Sequence, residues 1–316
     1  MRLITPKRLK ENEDAMWELA DRQLDTFLAE GDAEFIAGFA TPFTLLVIAD
    51  LLGMPEADRD DFAATIRAGH EAGGGVGGTG DEALAHNPLE FLYAKFTKYI
   101  QERRREPRAD VLTELAAATF PDGSTPDVMD VARVASNLFS AGQETTVRLL
   151  GSAFRILAEQ PELQAGLRAD RSRIPNFIEE TLRFESPIKG DFRMSKVPVN
   201  VGGVDLPAGT TVMAILGAAN RDPRQFSEPE KFDPARSNAR RHIAFGRGIH
   251  TCPGAPLARA ETKVAIERML DRTTNIRIAE DQHGPAGDRR YSYIPTFILR
   301  GLTHLNLEFD LKDAQR

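Results

Sequence analysis

The chain has 316 residues, 41% hydrophobic and 28% charged, which is long enough for one large core. A formal net charge of -7 argues against a dedicated nucleic-acid binder, and a single cysteine excludes an intrachain disulfide framework and suits a reducing compartment. No apolar stretch approaches the length of a membrane span and residues 1–10 hold no apolar signal core, so a cytoplasmic protein without membrane contact is expected.

In chain order, residues 12–30 read as an amphipathic helix, 42–52 as an apolar helix stopped by Gly53-Met54-Pro55, and 56–72 as another helix. Residues 73–80, GGGVGGTG, contain Gly-x-Gly-x-x-Gly. No strand precedes them and no lysine follows, so a flexible loop before a helix at 88–105 is expected rather than a nucleotide cradle. Over 126–160, Val131, Val134, Ala135, Leu138, Phe139, Leu149, Leu150, Ala153, Phe154 and Leu157 recur at helical spacing, and Pro126 suits a first turn. In the middle of that helix, Ser140-Ala141-Gly142-Gln143-Glu144-Thr145-Thr146 is a weak point where a side chain or water can enter the hydrogen-bond ladder. The helix at 178–185 places Glu180 and Arg183 on one face. Beyond residue 193 come short β-like runs at 197–204 and 210–214, with turns at Gly202-Gly203 and Pro207-Ala208-Gly209, then a helix at 256–270 and a β-like stretch at 297–309. No internal repeat breaks the pattern, so one domain over 1–316 is expected, mainly α with small β-sheets (α+β).

The only cysteine, Cys252, lies in Phe245-Gly246-Arg247-Gly248-Ile249-His250-Thr251-Cys252-Pro253-Gly254. Glycines around the sulfur let the backbone pass close to a flat, bulky group and leave N–H groups free to point at a negative sulfur. The helix that follows favours a thiolate by lowering the thiol pKa. Taken alone, the residue also reads as a buried structural cysteine beside a turn. A zinc site is the poorer reading, because one cysteine and scattered histidines lack the usual ligand spacing.

The run fits Phe-Gly-x-Gly-x-His-x-Cys-x-Gly at every specified position and resembles the haem-binding loop of the cytochrome P-450 superfamily of haem-thiolate monooxygenases. The resemblance implies that fold, with haem (heme b, iron protoporphyrin IX) as cofactor and Cys252 as its axial iron ligand. His250 takes a propionate contact, and Phe245 with Gly246 packs beside the sulfur. The segment around Gly142 resembles the family's distal helix, so Thr145 would bond the iron-bound oxygen species, Glu144 would relay solvent protons, and Ala141 would lie against the haem. Glu180 and Arg183, with Arg236 in Phe232-Asp233-Pro234-Ala235-Arg236, match a buried charged triad that braces the cysteine loop. Arg193 matches a propionate-binding arginine. Asn137, Ala141, Ile188, Lys189, Ile298 and Leu299 fall where members line the substrate pocket. Two readings of Lys189 stay open: its ammonium reaches a propionate or water, or it pairs with an anionic group on the substrate.

On this resemblance the chain inserts one oxygen atom from O2 into an apolar organic substrate. Electrons come from a separate ferredoxin and its reductase, since no flavin or iron–sulfur cysteine motif is present. Arg240, Arg241, Arg247 and Arg259 flank the cysteine loop and read either as a docking patch for an acidic ferredoxin or as solvated surface arginines. The alternatives are a peroxide-dependent peroxygenase and a truncated haem-binding remnant without monooxygenase activity. The match begins at residues 3–9, against the end of an early helix of the family, so a fold lacking the N-terminal strands and first helices is expected.

Overall fold

The computed structural model describes residues 4–71 and 88–312, and the glycine-rich run 73–80 lies outside them. Helix ends follow local chemistry. Thr5 accepts the Arg8 N–H at 3.2 Å and caps α1 (Pro6–Glu11), and α2 (Glu13–Asp25) turns Met16, Leu19, Ala20 and Leu24 inward. The helix expected over 12–30 stops at Asp25, because Phe27 and Leu28 both enter the core and a tight turn at Leu28–Glu30, ended by Gly31 at φ 79°, lets them do so.

The apolar α3 (Thr41–Leu52) carries Pro42 in its first turn and stops at Gly53, φ 83°. Only glycine fits there on two counts, since a Cβ would also sit 2.4 Å from that of Asp110. Among the described residues α4 (Arg59–Glu71), α5 (Pro88–Arg105) and α6 (Val111–Ala116) follow. Asp110 caps α6 through the Thr113 N–H at 2.7 Å and pairs with the buried Arg103.

The axis of the molecule is α7 (Val128–Glu159), 32 residues and so roughly 48 Å long at 1.5 Å per residue. Asp127 caps it through the Met129 N–H. No break interrupts it at Ser140–Thr146. The small residues there let neighbours approach instead: a Cβ on Gly142 would meet Ile48 of α3 at 3.1 Å. Phe139 meets Phe62 of α4 and Phe96 of α5 at 5.1 and 5.9 Å, while Phe154 meets Phe35 at 4.2 Å. Beyond α7 come α8 (Pro161–Ala169), α9 (Ile174–Glu185), α10 (Leu216–Ala219), α11 (Ala255–Arg272) and α12 (Glu280–His283). Of these, α9 and α11 pack on α7 and on each other.

Strands are few and short. In an antiparallel sheet β7 (Asn306–Leu311) lies between β1 (Asp32–Glu34) and β6 (Thr273–Ile278). A bulge in β6 leaves Ile276 off the ladder, and the buried Gln164 side chain accepts its N–H at 3.2 Å and donates to its carbonyl at 2.6 Å. Two separate antiparallel pairs join β2 (Asp191–Met194) to β5 (Thr211–Ala214) and β3 (Val199–Val201) to β4 (Val204–Leu206). The turn expected at Gly202-Gly203 within the 197–204 run closes a hairpin of β3 and β4, both glycines having positive φ. The stretch 297–309 is a strand only from Asn306. Before it, Ile298, Leu299 and Arg300 pair with Pro187–Lys189 while Gly301 and Leu302 pair with Tyr293 and Ile294, so no single ladder forms.

Candidate active site

The cysteine loop is closed by its own backbone. Gly246 and Gly248 have φ of 68° and 76°, the Gly246 N–H reaches the Ile243 carbonyl at 2.9 Å, and the Cys252 N–H reaches the Phe245 carbonyl at 2.9 Å. These bonds deliver the half-buried sulfur to the start of α11. Burial pushes the Cys252 thiol above its ordinary value, while the N–H groups of Gly254 and Ala255 and the charge of Arg259 pull it back. The helix start thus lowers the thiol pKa as expected, but loss of water outweighs it and the net direction is upward. His250 is exposed and Ile249 is 96% exposed, so the loop tip faces open space.

Although α7 runs through the core, one of its faces is bare. Val134, Asn137 and Ala141 are exposed, Leu138 and Thr145 partly so, and all fall within one arc of the helix. The Thr145 hydroxyl donates to the Ala141 carbonyl at 2.7 Å. Its neighbour Glu144 is buried and pairs with Arg148 at 3.4 Å, and Arg148 also donates to the Leu302 carbonyl. The next residue, Thr146, points round the helix to the buried side, where it meets the fully buried Glu261 of α11.

Glu180, Arg183 and Arg236 come together as a buried cluster. Glu180 bonds Arg183 Nε and Nη2 at 2.7 and 2.8 Å and Arg236 Nε at 3.1 Å. The two guanidinium groups then donate to the carbonyls of Asn220, Ser227, Pro229 and Lys231, which fixes the loop ahead of the cysteine. Sequence reasoning missed the buried Asn220, whose Oδ1 accepts the Ile243 N–H at 2.7 Å and whose Nδ2 donates to Ser186.

It also missed Glu179, which holds Arg259 through a two-pronged pair and accepts from His242 Nε2 at 2.9 Å. Burial pushes the Glu179 carboxyl up, but these hydrogen bonds overcome it and hold the group at about 2. The adjacent pair Glu179-Glu180 on an apolar helix was the available signal. Arg259, read beforehand as a docking or solvated residue, has its head committed to Glu179.

The other expected residues lie at the rim. Arg193 is exposed on β2 and paired with Asp191, and Ile188 and Ile298 are half-buried. Lys189 donates to the Thr296 carbonyl, a third partner that neither reading anticipated. Leu299 is 1% exposed because its bridge to Ile188 turns it inward, so of the Ile298-Leu299 pair only Ile298 offers surface. A cavity of about 400 Å³ lies elsewhere, lined by Glu34, Gln282, His283, Arg290, His304 and Asn306. None of its lining residues belongs to the cysteine loop or α7.

A single soft sulfur with two N–H groups aimed at it, exposed basic side chains at Arg193 and His250, and a bare mid-helix face suit a large flat group ligated through sulfur. A family model described as cytochrome P450 matches residues 82–275. Cytochrome P450 107B1 of Saccharopolyspora erythraea is 35% identical over 306 residues, 96% of this chain and 72% of that protein. The monooxygenase PikC of Streptomyces venezuelae is 34% identical over 88% of this chain and 65% of its own length. Among solved structures, substrate-free Mycobacterium marinum cytochrome P450 CYP150A6 superposes with a TM-score of 0.88 at 55% identity, covering 98% of this chain and 72% of that one.

Proposed function

The chain belongs to the cytochrome P450 family of haem-thiolate monooxygenases, and from that membership we propose that Cys252 would hold the haem iron through its sulfur. The observation that carries the reading is the loop itself, which seats the sulfur at the start of α11 with the Gly254 and Ala255 N–H groups stabilising its charge. When bound, haem supplies the activation of dioxygen that no side chain can provide.

The chain's own residues then bind, orient and move protons. Arg193 and His250 would hold the propionates, and Ala141 would lie against the haem. Thr145, tethered to the Ala141 carbonyl, holds a hydroxyl at the bare stripe of α7. Glu144, the residue before it and paired with Arg148, relays solvent protons to it. Val134, Asn137, Ile188 and Ile298 offer a mainly apolar surface, which fits an apolar organic substrate with one polar contact. Lys189 serves the pocket wall through Thr296. Arg240, Arg241 and Arg247 stay exposed around the cysteine loop and suit an acidic ferredoxin-type electron donor.

The test is the Soret spectrum of the haem-loaded, reduced, carbon monoxide-bound chain. A red-shifted thiolate band that disappears in Cys252→Ala supports the reading. A band of neutral or absent sulfur ligation in the unsubstituted chain refutes it. Turnover with a ferredoxin system and not with peroxide then separates monooxygenase from peroxygenase.

A further inference from the structure

Two consecutive carboxylates of α9 serve different parts of the molecule. Glu180 holds the loop at 220–231, whereas Glu179 turns to the cysteine side. Glu179 is 2% exposed and meets three basic groups: Arg259 of α11 at 2.7 and 2.9 Å, His242 Nε2 at 2.9 Å, and the outlying Arg240 at 3.4 Å. His242 Nδ1 accepts the Ala244 N–H at 3.1 Å, so Nε2 carries the hydrogen that it donates to Glu179.

Both main partners of Glu179 also touch one ring. The Arg259 guanidinium stands 4.7 Å from the centroid of Phe245, and the His242 ring lies 5.8 Å from it. The Phe245 carbonyl in turn accepts the Cys252 N–H. A continuous line of contacts therefore runs from the buried carboxylate, through a fixed guanidinium and imidazole, to the ring and backbone that hold the sulfur.

We propose that Glu179 is a positioning residue which, through Arg259 and His242, locks Phe245 and so fixes the place and shielding of the Cys252 sulfur. The cluster is separate from Glu180–Arg183–Arg236, which braces a different loop. A two-pronged Arg–carboxylate pair holds a direction as well as a charge, and lysine cannot reproduce both the fork on Glu179 and the guanidinium placed over Phe245. Arg259→Lys therefore keeps the charge and removes the geometry.

The proposal rests on the thiolate reading, so two readouts are used on Glu179→Gln and Arg259→Lys. In the reduced, carbon monoxide-bound, haem-loaded chain, both variants are expected to convert most of the red-shifted band to the shorter-wavelength band of lost or neutral sulfur ligation. In the chain without added haem, hydrogen exchange at the Cys252 amide is expected to accelerate severalfold, with helix content by circular dichroism unchanged. A folded Arg259→Lys chain with the unsubstituted band and the unsubstituted Cys252 exchange rate overturns the proposal, even where Glu179→Gln fails to fold. If the unsubstituted chain gives no red-shifted band, the ligand role of Cys252 falls, and the exchange comparison alone decides the positioning role.

Discussion

Glu261 offers a sharp test of the packing between α11 and α7. It is 1% exposed, and neither buried carboxylate oxygen makes a full hydrogen bond among the described residues, the Thr146 hydroxyl of α7 being its polar neighbour. Burial pushes its pKa well above the ordinary 4.5, and the Thr146 hydroxyl opposes the rise only in part. The folded chain therefore holds a proton that the unfolded chain releases above 4.5. Stability contributed by this group is complete below that value and falls as pH rises towards the folded pKa. The slope reaches about 1.4 kcal/mol per pH unit for one proton, and it holds for each unit of the interval between 4.5 and the folded pKa. Glu261→Met fills similar space without a titrating or unpaired polar group. In urea unfolding of both chains at matched pH, its stability relative to the unsubstituted chain is expected to rise across that interval at that slope, with m unchanged. Glu261→Gln should show the same pH dependence from a lower starting point, because its amide remains unpaired. The subtraction removes the titration of every other group the chains share. A difference that is flat with pH refutes the reasoning, since Glu261 would then ionise alike in both states.

Glu180→Gln leaves Arg183 and Arg236 buried around a neutral partner, and a loss of about 3–5 kcal/mol in denaturant unfolding is expected. Gly301→Ala places a Cβ 2.0 Å from Arg148 Cδ, so a cost of about 1–3 kcal/mol is expected. Most of that cost should vanish when the same substitution is made on Arg148→Ala, measured as a double-mutant cycle. Glu179, held low by His242 and Arg259 against the effect of burial, contributes stability that is present above the unfolded value of 4.5 and lost as pH falls towards about 2. Glu179→Gln should accordingly flatten the acid limb of a stability profile over that window, and an unchanged acid limb would contradict the assignment.

How much of this could be read from the sequence depends on what fixes each residue. The run around Cys252 was legible because its backbone demands glycine at Gly246 and Gly248 and a helix start just past the sulfur, all within ten residues. The long helix was legible from period alone, and its boundaries moved by only two residues at one end and one at the other. The 12–30 helix and the 297–309 strand were overread for the opposite reason. Apolar spacing continues through Phe27 and Leu299, but tertiary partners, not period, decide where those side chains turn.

Buried charge was the hardest to see. Glu180 has an arginine three residues on, so spacing flagged it, whereas Glu179 finds its partners 63 and 80 residues away and looks like any solvated helical glutamate. Glu261, between Arg259 and Lys263, reads as part of a charged outer face, yet α11 turns it inward. Adjacent side chains on a helix stand about 100° apart, so two neighbouring glutamates must answer to different neighbours. In an apolar helix such as α9, a doubled carboxylate therefore implies two separate sets of cations brought in from elsewhere in the chain. Arg183 and Arg236 form one set, and His242 and Arg259 form the other, the one that reaches the sulfur.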